Sequence, residues 1–339
     1  MEILEFFSAC ANGNSETVKQ LIQNHSQIES IFDPVTPLYL ACAEGHLEVV
    51  EILLNDKRID VNQGCVEKQT PFFIACKNGH IEIVKLLLKD QRVDLNKVDE
   101  YDQTPFYSAC EEEHIEIVKL LLNDERVDNN KRVDRNKISA YGESAFFSAC
   151  YKEHIEIIKL LLHDPKVDVN KVNRVGKTPF YSACCRGDLD TVKILLNNKR
   201  VDINQGKSEN PIHIACLFPE IVQYMLASGR EVDIQAKDSR GNTPIERAIE
   251  HEKEDKMLWE SEEEFQERKI QTPKIIELFK SYERNPIETR LNLRIQLGLA
   301  RNFDFHFYFN FHFNFNFNLK FFFFYFFHSL SKLIYRSRC

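Results

Sequence analysis

The chain has 339 residues, 44 Lys+Arg against 52 Asp+Glu, and a formal net charge of -8. That balance argues against a protein that coats nucleic acid, which needs a basic stripe, and 11 glycines leave little material for phosphate-cradling loops. The opening MEILEFFSACANG has no basic n-region ahead of an apolar core and cleavage site, so the expectation is a cytoplasmic protein whose ten cysteines are reduced thiols.

Self-comparison sets the organisation. The pair Ala-Cys begins at 9, 41, 75, 109, 149, 183 and 215, with an equivalent Ala248-Ile249, in steps of 32, 34, 34, 40, 34, 32 and 33 residues. In the same phase come Thr-Pro at 36, 70, 104, 178 and 243 and the degenerate pairs Ser144-Ala145 and Asn210-Pro211. An apolar run such as HIEIVKLLL (80–88) and a polar stretch such as KDQRVDLNKV (89–98) follow. Three features in one register make a tandem repeat, whose units cannot bury their apolar faces without neighbours.

In chain order, residues 1–30 lack Thr-Pro and carry Ser8, Asn12, Asn14 and Ser15, which suits a unit that caps one end of a stack. Full units fill about 31–236. Where Thr-Pro is kept, the Thr hydroxyl caps a first helix that opens on Pro, where no hydrogen bond is lost. For the unit at 70–98 this predicts a first helix over 71–78, with Ala75 and Cys76 at a close helix approach, and a turn at Gly79-His80. The second helix, from Ile81 to about Lys89, places Ile81, Val84, Leu87 and Leu88 on one face, and RVDLN forms a hairpin-like connection. The step of 40 arises because RVDNNK (126–131) is followed at once by RVDRNK (132–137). One extra block in a loop costs little closure entropy, so an outward bulge is expected.

The last unit is expected over 237–282, its first helix starting at Thr243-Pro244 and its second at Thr272-Pro273. An insertion between them, 250–268, carries nine acidic and three basic residues. It reads as a solvated helical extension, or as a docking segment through Trp259 and Phe265. Asn285 and Glu288 mark the start of a short helix within 283–300, with Leu291, Ile295 and Leu299 as its apolar face against the last unit. Residues 301–339 form a low-complexity tail in which Phe alternates with polar residues over 303–317, a strand period. The run 321–327 is too short to span a bilayer. A tail without function, a membrane or self-association anchor, and a partner strand remain open.

The segment TPFFIACKNGHIEIVKLLL followed by VDLN resembles the ankyrin repeat, with its T-P-L-H-x-A signature and 33-residue period. The resemblance covers about residues 1–282 and implies an all-α solenoid of stacked helix-turn-helix units. Three departures stand out. The usual His is replaced by Tyr39, Phe73, Tyr107, Phe147 and Tyr181 and kept as His213; the loop before Asp-Val-Asn is one residue longer; and the unit IACLFPEIVQYML (214–226) is two residues short at its inter-helix turn.

Motifs for nucleotide binding, nucleophilic catalysis and zinc are absent, so neither an enzyme nor a cofactor is expected. The periodic pairs Cys42/His46, Cys76/His80, Cys110/His114 and Cys150/His154 are of metal-ligating residue types, but each Cys falls in the helix packing and each His ends its own turn, away from a common point. Cys185 and Cys339 are candidates for exposed thiols. The Asn of each V-D-x-N segment (Asn62, Asn96, Asn170, Asn204) is expected to shape its turn, with hydroxylation the alternative that the resemblance implies.

The resemblance further implies binding of a protein or peptide along loop tips and the exposed ends of first helices, which line a concave groove. By position the tips are Phe32-Asp33, Val66-Glu67, Glu100-Tyr101, Ala140-Tyr141, Arg174-Val175 and Ser239-Arg240. The surface reads acidic at Glu100, Asp102, Glu111, Glu112 and Glu113 and basic at Arg174, Lys177 and Arg186, with Tyr101, Tyr141, Tyr151 and Lys152 between. A scaffold that binds a partner with a basic segment is the expected function, with Tyr as anchors. The alternative is an ankyrin protein tethered to membrane or to itself by its Phe-rich tail.

Overall fold

The computed structural model describes residues 2–24, 35–124, 133–206, 209–254, 256 and 261–299. Helices come in pairs along the array: α1 (Glu2–Ala11), α2 (Ser15–Asn24), α3 (Pro37–Glu44), α4 (Leu47–Asn55), α5 (Pro71–Lys77), α6 (Ile81–Lys89), α7 (Pro105–Glu111), α8 (Ile115–Leu122), α9 (Ala145–Lys152) and α10 (Ile155–His163). They continue as α11 (Pro179–Arg186), α12 (Leu189–Asn197), α13 (Pro211–Ala215), α14 (Pro219–Ala227), α15 (Pro244–Lys253), α16 (Glu262–Arg284) and α17 (Pro286–Gln296). From α1 to α14, each first helix packs on the first helix of the next unit, and each second helix on the next second helix. This is the expected all-α ankyrin solenoid. Among the described residues the loops contain no strand, only an isolated bridge between Ile138 and Ser144. The chain divides into two compact units, Met1–Lys280, which holds the array, and Ser281–Cys339, which holds α17.

The caps form as the sequence dictates. Thr70 Oγ1 accepts from Phe73 N at 3.0 Å and Thr104 Oγ1 from Tyr107 N at 3.1 Å. Ser144 does the same for Phe147 at 3.2 Å, so the degenerate pair keeps the capping chemistry. Behind the caps, Phe72, Phe106, Phe146 and Phe180 are fully buried, beside the tiny Ala75, Ala109, Ala149 and Ala183. In α6 the buried stripe is Ile83, Val84 and Leu87, while Ile81 and Leu88 are partly exposed. The expected face is therefore rotated: Ile81 is the first residue of the helix, at the edge of the packing, and the i, i+1, i+4 set sits at its centre.

Three ladders stitch the units together. First, His46, His80, His114 and His154 each donate Nε2–H to a carbonyl of the unit before, on Ala11, Ala43, Lys77 and Glu111, at 2.7–2.9 Å. The ring passes close under the preceding turn, where a Cβ on Gly79 would lie 2.6 Å from His114 Cε1, and Gly79 also holds φ +79. In the next two units this left-handed position is filled by Glu113 (φ 60) and Glu153 (φ 65). Second, Asn170 Oδ1 accepts from Asp202 N at 2.7 Å and its Nδ2 donates to Arg200 O at 2.8 Å, both in the following unit. Asn62 and Asn204 make the same pair of bonds. These Asn side chains therefore join units, a role that the sequence reading, confined to the turn, missed. Third, Arg92 and Arg200 donate to the terminal carbonyls of the preceding second helix, Leu54 O at 2.9 Å and Leu162 O at 3.0 Å.

The stack takes up the second copy of the duplicated block. Val133 is buried, Asp134 N donates to Asn96 Oδ1 at 2.7 Å, and Asn136 Nδ2 donates to Lys166 O at 2.8 Å. The expected bulge falls on 125–132, outside the described residues. Arg135 occupies the position that Leu95, Val169 and Ile203 fill in other units. Its Nη2 donates to Leu122 O at 2.6 Å, and its Nε lies 3.0 Å from Asp164 Oδ2, an ion pair without hydrogen-bond alignment.

The ends depart most from expectation. In the N-terminal unit Ser8, Asn12 and Asn14 are exposed and Ser15 is partly so. Thr243 opens α15 with a capping box to Glu246. Thr272-Pro273, however, starts no helix: α16 begins ten residues earlier at Glu262, Thr272 Oγ1 donates back to Arg268 O at 2.8 Å, and Pro273 lies inside the helix. The strong helix formers of the acidic segment win over the Thr-Pro signal. Arg268 and Lys269 also tie α16 to the last carbonyls of α15, on His251, Glu252 and Glu254. In the second compact unit Asn285 caps α17 through Glu288 N at 3.1 Å. There Leu291 and Leu293 are buried while Ile295 and Leu299 are exposed; the helix ends at Gln296, so the expected stripe to Leu299 has no helix to run along. The Phe-rich tail, 301–339, lies outside the described residues.

Candidate functional site

In the units built on α7, α9 and α11 the loop tip is a five-residue turn that closes on itself, and the tips from Glu67 to Arg174 are bonded in series. Asp99 N donates to Gln103 O at 3.1 Å, Ser139 N to Glu143 O at 2.9 Å and Asn173 N to Lys177 O at 3.0 Å. Between units, Glu100 N donates to Glu67 O at 2.9 Å, Ala140 N to Tyr101 O at 2.6 Å and Arg174 N to Tyr141 O at 3.4 Å. This backbone series spaces Glu67, Tyr101, Tyr141 and Val175 at one equivalent position on consecutive tips. Asp99, itself buried, fixes its turn by accepting from Tyr101 N and Gln103 N at 2.9 Å.

The expected anchors are open to solvent: Tyr101 is 47% exposed, Tyr141 62% and Tyr151 50%. The charge of the neighbouring Glu100 raises the pKa of the Tyr101 hydroxyl, with Tyr141 and Glu67 adding. Tyr151 lies in the last turn of α9, and the Arg186 guanidinium sits 5.2 Å from its ring centroid. Arg186 also faces Glu153 at 3.4 Å, so its exposed guanidinium is restrained by the unit before it. Lys152 lies near Glu111. Glu112 and Arg174 are exposed and have no ion-pair partner among the described residues. Lys177 stands 4.6 Å over the Tyr181 ring. The tip Phe32-Asp33 and Trp259 of the acidic insertion fall outside the described residues. Phe265, the other aromatic of that insertion, is flanked by its own Arg268 and Lys269 at 5.1 and 5.3 Å.

Electrostatically this face is charged against itself. Burial pushes Glu111 above the ordinary carboxylate range, with Lys152 opposing and Glu112 adding. Burial likewise raises Glu143, with a hydrogen bond from Asn173 opposing and Glu111 adding. Glu143 escaped the sequence reading because it stands just before the cap residue, where other units carry Gln69, Gln103 or Lys177.

The periodic thiols are a different matter. Cys42, Cys76, Cys110 and Cys150 are fully buried, which pushes each thiol well above its ordinary range, and the paired histidines are committed to backbone carbonyls. Among the described residues no group of three or more His, Cys, Asp or Glu is placed to hold a metal ion. Cys185 is exposed, as expected, and Cys65 is partly so; Cys339 falls outside the described residues. No helix among the described residues is long and apolar enough to cross a membrane.

Comparisons with known proteins agree with this architecture. Models of ankyrin repeats in three copies match residues 6–99, 57–133 and 127–207, and a further ankyrin repeat model matches 195–248. A search of curated proteins finds no match. Among solved structures, the chain is similar to the ankyrin repeat domain of Bcl-3, described as a unique member of the IkappaB protein family. The TM-score is 0.58 at 24% identity, over 64% of this chain and 95% of that one, a likeness of fold. With caps, inter-unit ladders and family models in one register across most of its length, the chain belongs to the ankyrin repeat family.

Proposed function

We propose that the protein is a non-catalytic scaffold that binds a protein or peptide partner along its loop tips and first-helix ends. Ankyrin repeats are protein-interaction modules, and the observation that carries the finer reading is the series of exposed Tyr101, Tyr141 and Tyr151 beside uncompensated acidic residues. Rigid, exposed aromatics are the residues that anchor interfaces when a partner excludes water from them. Glu100, Asp102, Glu111 and Glu112 favour a basic segment of the partner at the units built on α7 and α9, and their charge would speed its approach. The partner is a protein or peptide; neither a nucleic acid nor a cofactor belongs to this reading.

The test is affinity capture from lysate with the full chain and with a Tyr101→Ala/Tyr141→Ala/Tyr151→Ala variant. A bound protein retained by the first and lost by the second is the expected outcome; equal capture by both sinks the reading. Tethering through residues 301–339 is the competing reading. Fractionation of the full chain against a 1–300 truncation separates the two, because only tethering makes the tail necessary for pelleting.

A further inference from the structure

The exposed charge along the tips and first-helix ends is graded. At the unit built on α7 the exposed residues are Glu100 and Glu112, with no cationic partner among the described residues. One unit on, the tip is the neutral Tyr141. At the unit built on α11 they are Arg174, without an acidic partner among the described residues, and Arg186, which Glu153 of the unit before faces at 3.4 Å. The backbone bonds from tip to tip hold these groups in one line: Ala140 N to Tyr101 O, then Arg174 N to Tyr141 O. Along α6, α8, α10 and α12 the second-helix face shows no such gradient, because the acid of each closes on a lysine three residues on: Glu82–Lys85, Glu116–Lys119 and Glu156–Lys159 at 2.6 Å and Asp190–Lys193 at 3.2 Å. The sorting of sign therefore belongs to the tip face.

Resting on the reading of this face as a partner site, we infer that the partner segment is bipolar and lies in one direction. Its basic end meets the α7 unit, its middle crosses Tyr101 and Tyr141, and its acidic end meets the α11 unit. Packed helices stand about 8–10 Å apart, so two units separate the charge centres by about 20 Å. An extended chain rises about 3.3 Å per residue, which places about six residues between the two charged ends. A uniformly basic segment meets repulsion from Arg174 and Arg186, and a segment of opposite direction meets like charge at both ends. Like charges set against one another disfavour the wrong partner and fix the register of the right one.

The test uses the full chain and three labelled fourteen-residue peptides, followed by fluorescence anisotropy. One has a four-Lys block, six neutral residues that include two Leu, and a four-Glu block. The second has the same composition with Lys and Glu alternating. The third replaces the Glu block with Lys. The first is expected to bind about tenfold more tightly than either other, a difference of about 1.4 kcal/mol. A benzophenone beside its Lys block is expected to cross-link within residues 100–113. In the variant Glu100→Arg/Glu112→Arg/Arg174→Glu/Arg186→Glu, whose gradient is inverted, the same probe is expected to cross-link within 174–186.

Equal binding of the all-basic peptide overturns the bipolar inference and leaves the basic-segment reading standing. Equal binding of the alternating peptide, or cross-links that do not move in the inverted variant, also overturns the inference. Absence of binding by all three overturns both readings.

Discussion

The second-helix face and the tip face of this array are made by the same repeat and carry charge in opposite ways. Along the second helices α6, α8 and α10 the sequence hardly changes from unit to unit, and acids and bases neutralise one another within a turn, as Glu116 and Lys119 do at 2.6 Å. Along the tips the backbone bonding repeats while the side chains do not: Glu100-Tyr101, Ala140-Tyr141 and Arg174-Val175 stand at equivalent places. One face is uniform because every unit must fit its neighbour. The other varies because nothing in the stack depends on it, which leaves it free for recognition.

The sharpest way to test this division is to damage what repeats. Asn170→Ala removes bonds to Asp202 N and Arg200 O, and is expected to lower stability by about 2 kcal/mol in urea unfolding. The variable face should behave in reverse. Tyr101→Ala/Tyr141→Ala is expected to leave the urea midpoint unchanged while weakening partner binding about tenfold, measured by titration calorimetry.

A change of pH should separate the faces further. Burial lets Glu111 and Glu143 keep their protons to higher pH in the folded chain than in the unfolded one. Their contribution to stability therefore falls as pH rises from the ordinary carboxylate range through their raised values. Attraction for a cationic partner grows over the same interval, so affinity is expected to drop severalfold from pH 7.5 to pH 5. Titrations at the two pH values check this.

Glu113 tests a position where the two faces meet. It holds the left-handed conformation that Gly79 holds one unit earlier, and its carboxylate lies 3.4 Å from His154 Nδ1. Glu113→Gly relieves the strain but frees the unfolded chain, so a net gain of about 0.5 kcal/mol is expected in urea unfolding. The smallest effect belongs to the outer pairs. Lys119→Ala should cost about 0.3 kcal/mol, because both partners are largely solvated; a larger loss would mean that the outer charges hold the stack after all.

Much of the fold was legible because each local rule agreed with the period. Thr104, Pro105 and Ala109 each mark a helix start or a close approach, and the structure uses all three as read. Where the reading failed, a local signal competed with its surroundings. Thr272-Pro273 has the look of a helix start, but the preceding run of helix formers and the bonds from Arg268 to α15 carry the helix through it. The Asn ladder was invisible because a one-unit reading places Asn170 beside its own turn and cannot show that Asp202 lies across the boundary. The tips were found by position alone; the restraint of Arg186 by Tyr151 and Glu153 required coordinates.

The repeated block RVDNNK–RVDRNK has a practical consequence. Asp134 and Asn136, both of the second copy, make the ladder bonds to Asn96 and Lys166. By sequence, the first copy is the block in excess of the 34-residue step, and added length in a connecting segment raises closure cost only as its logarithm. A reporter domain spliced into 126–131, in the middle of the array, is therefore expected to leave both halves of the stack in register.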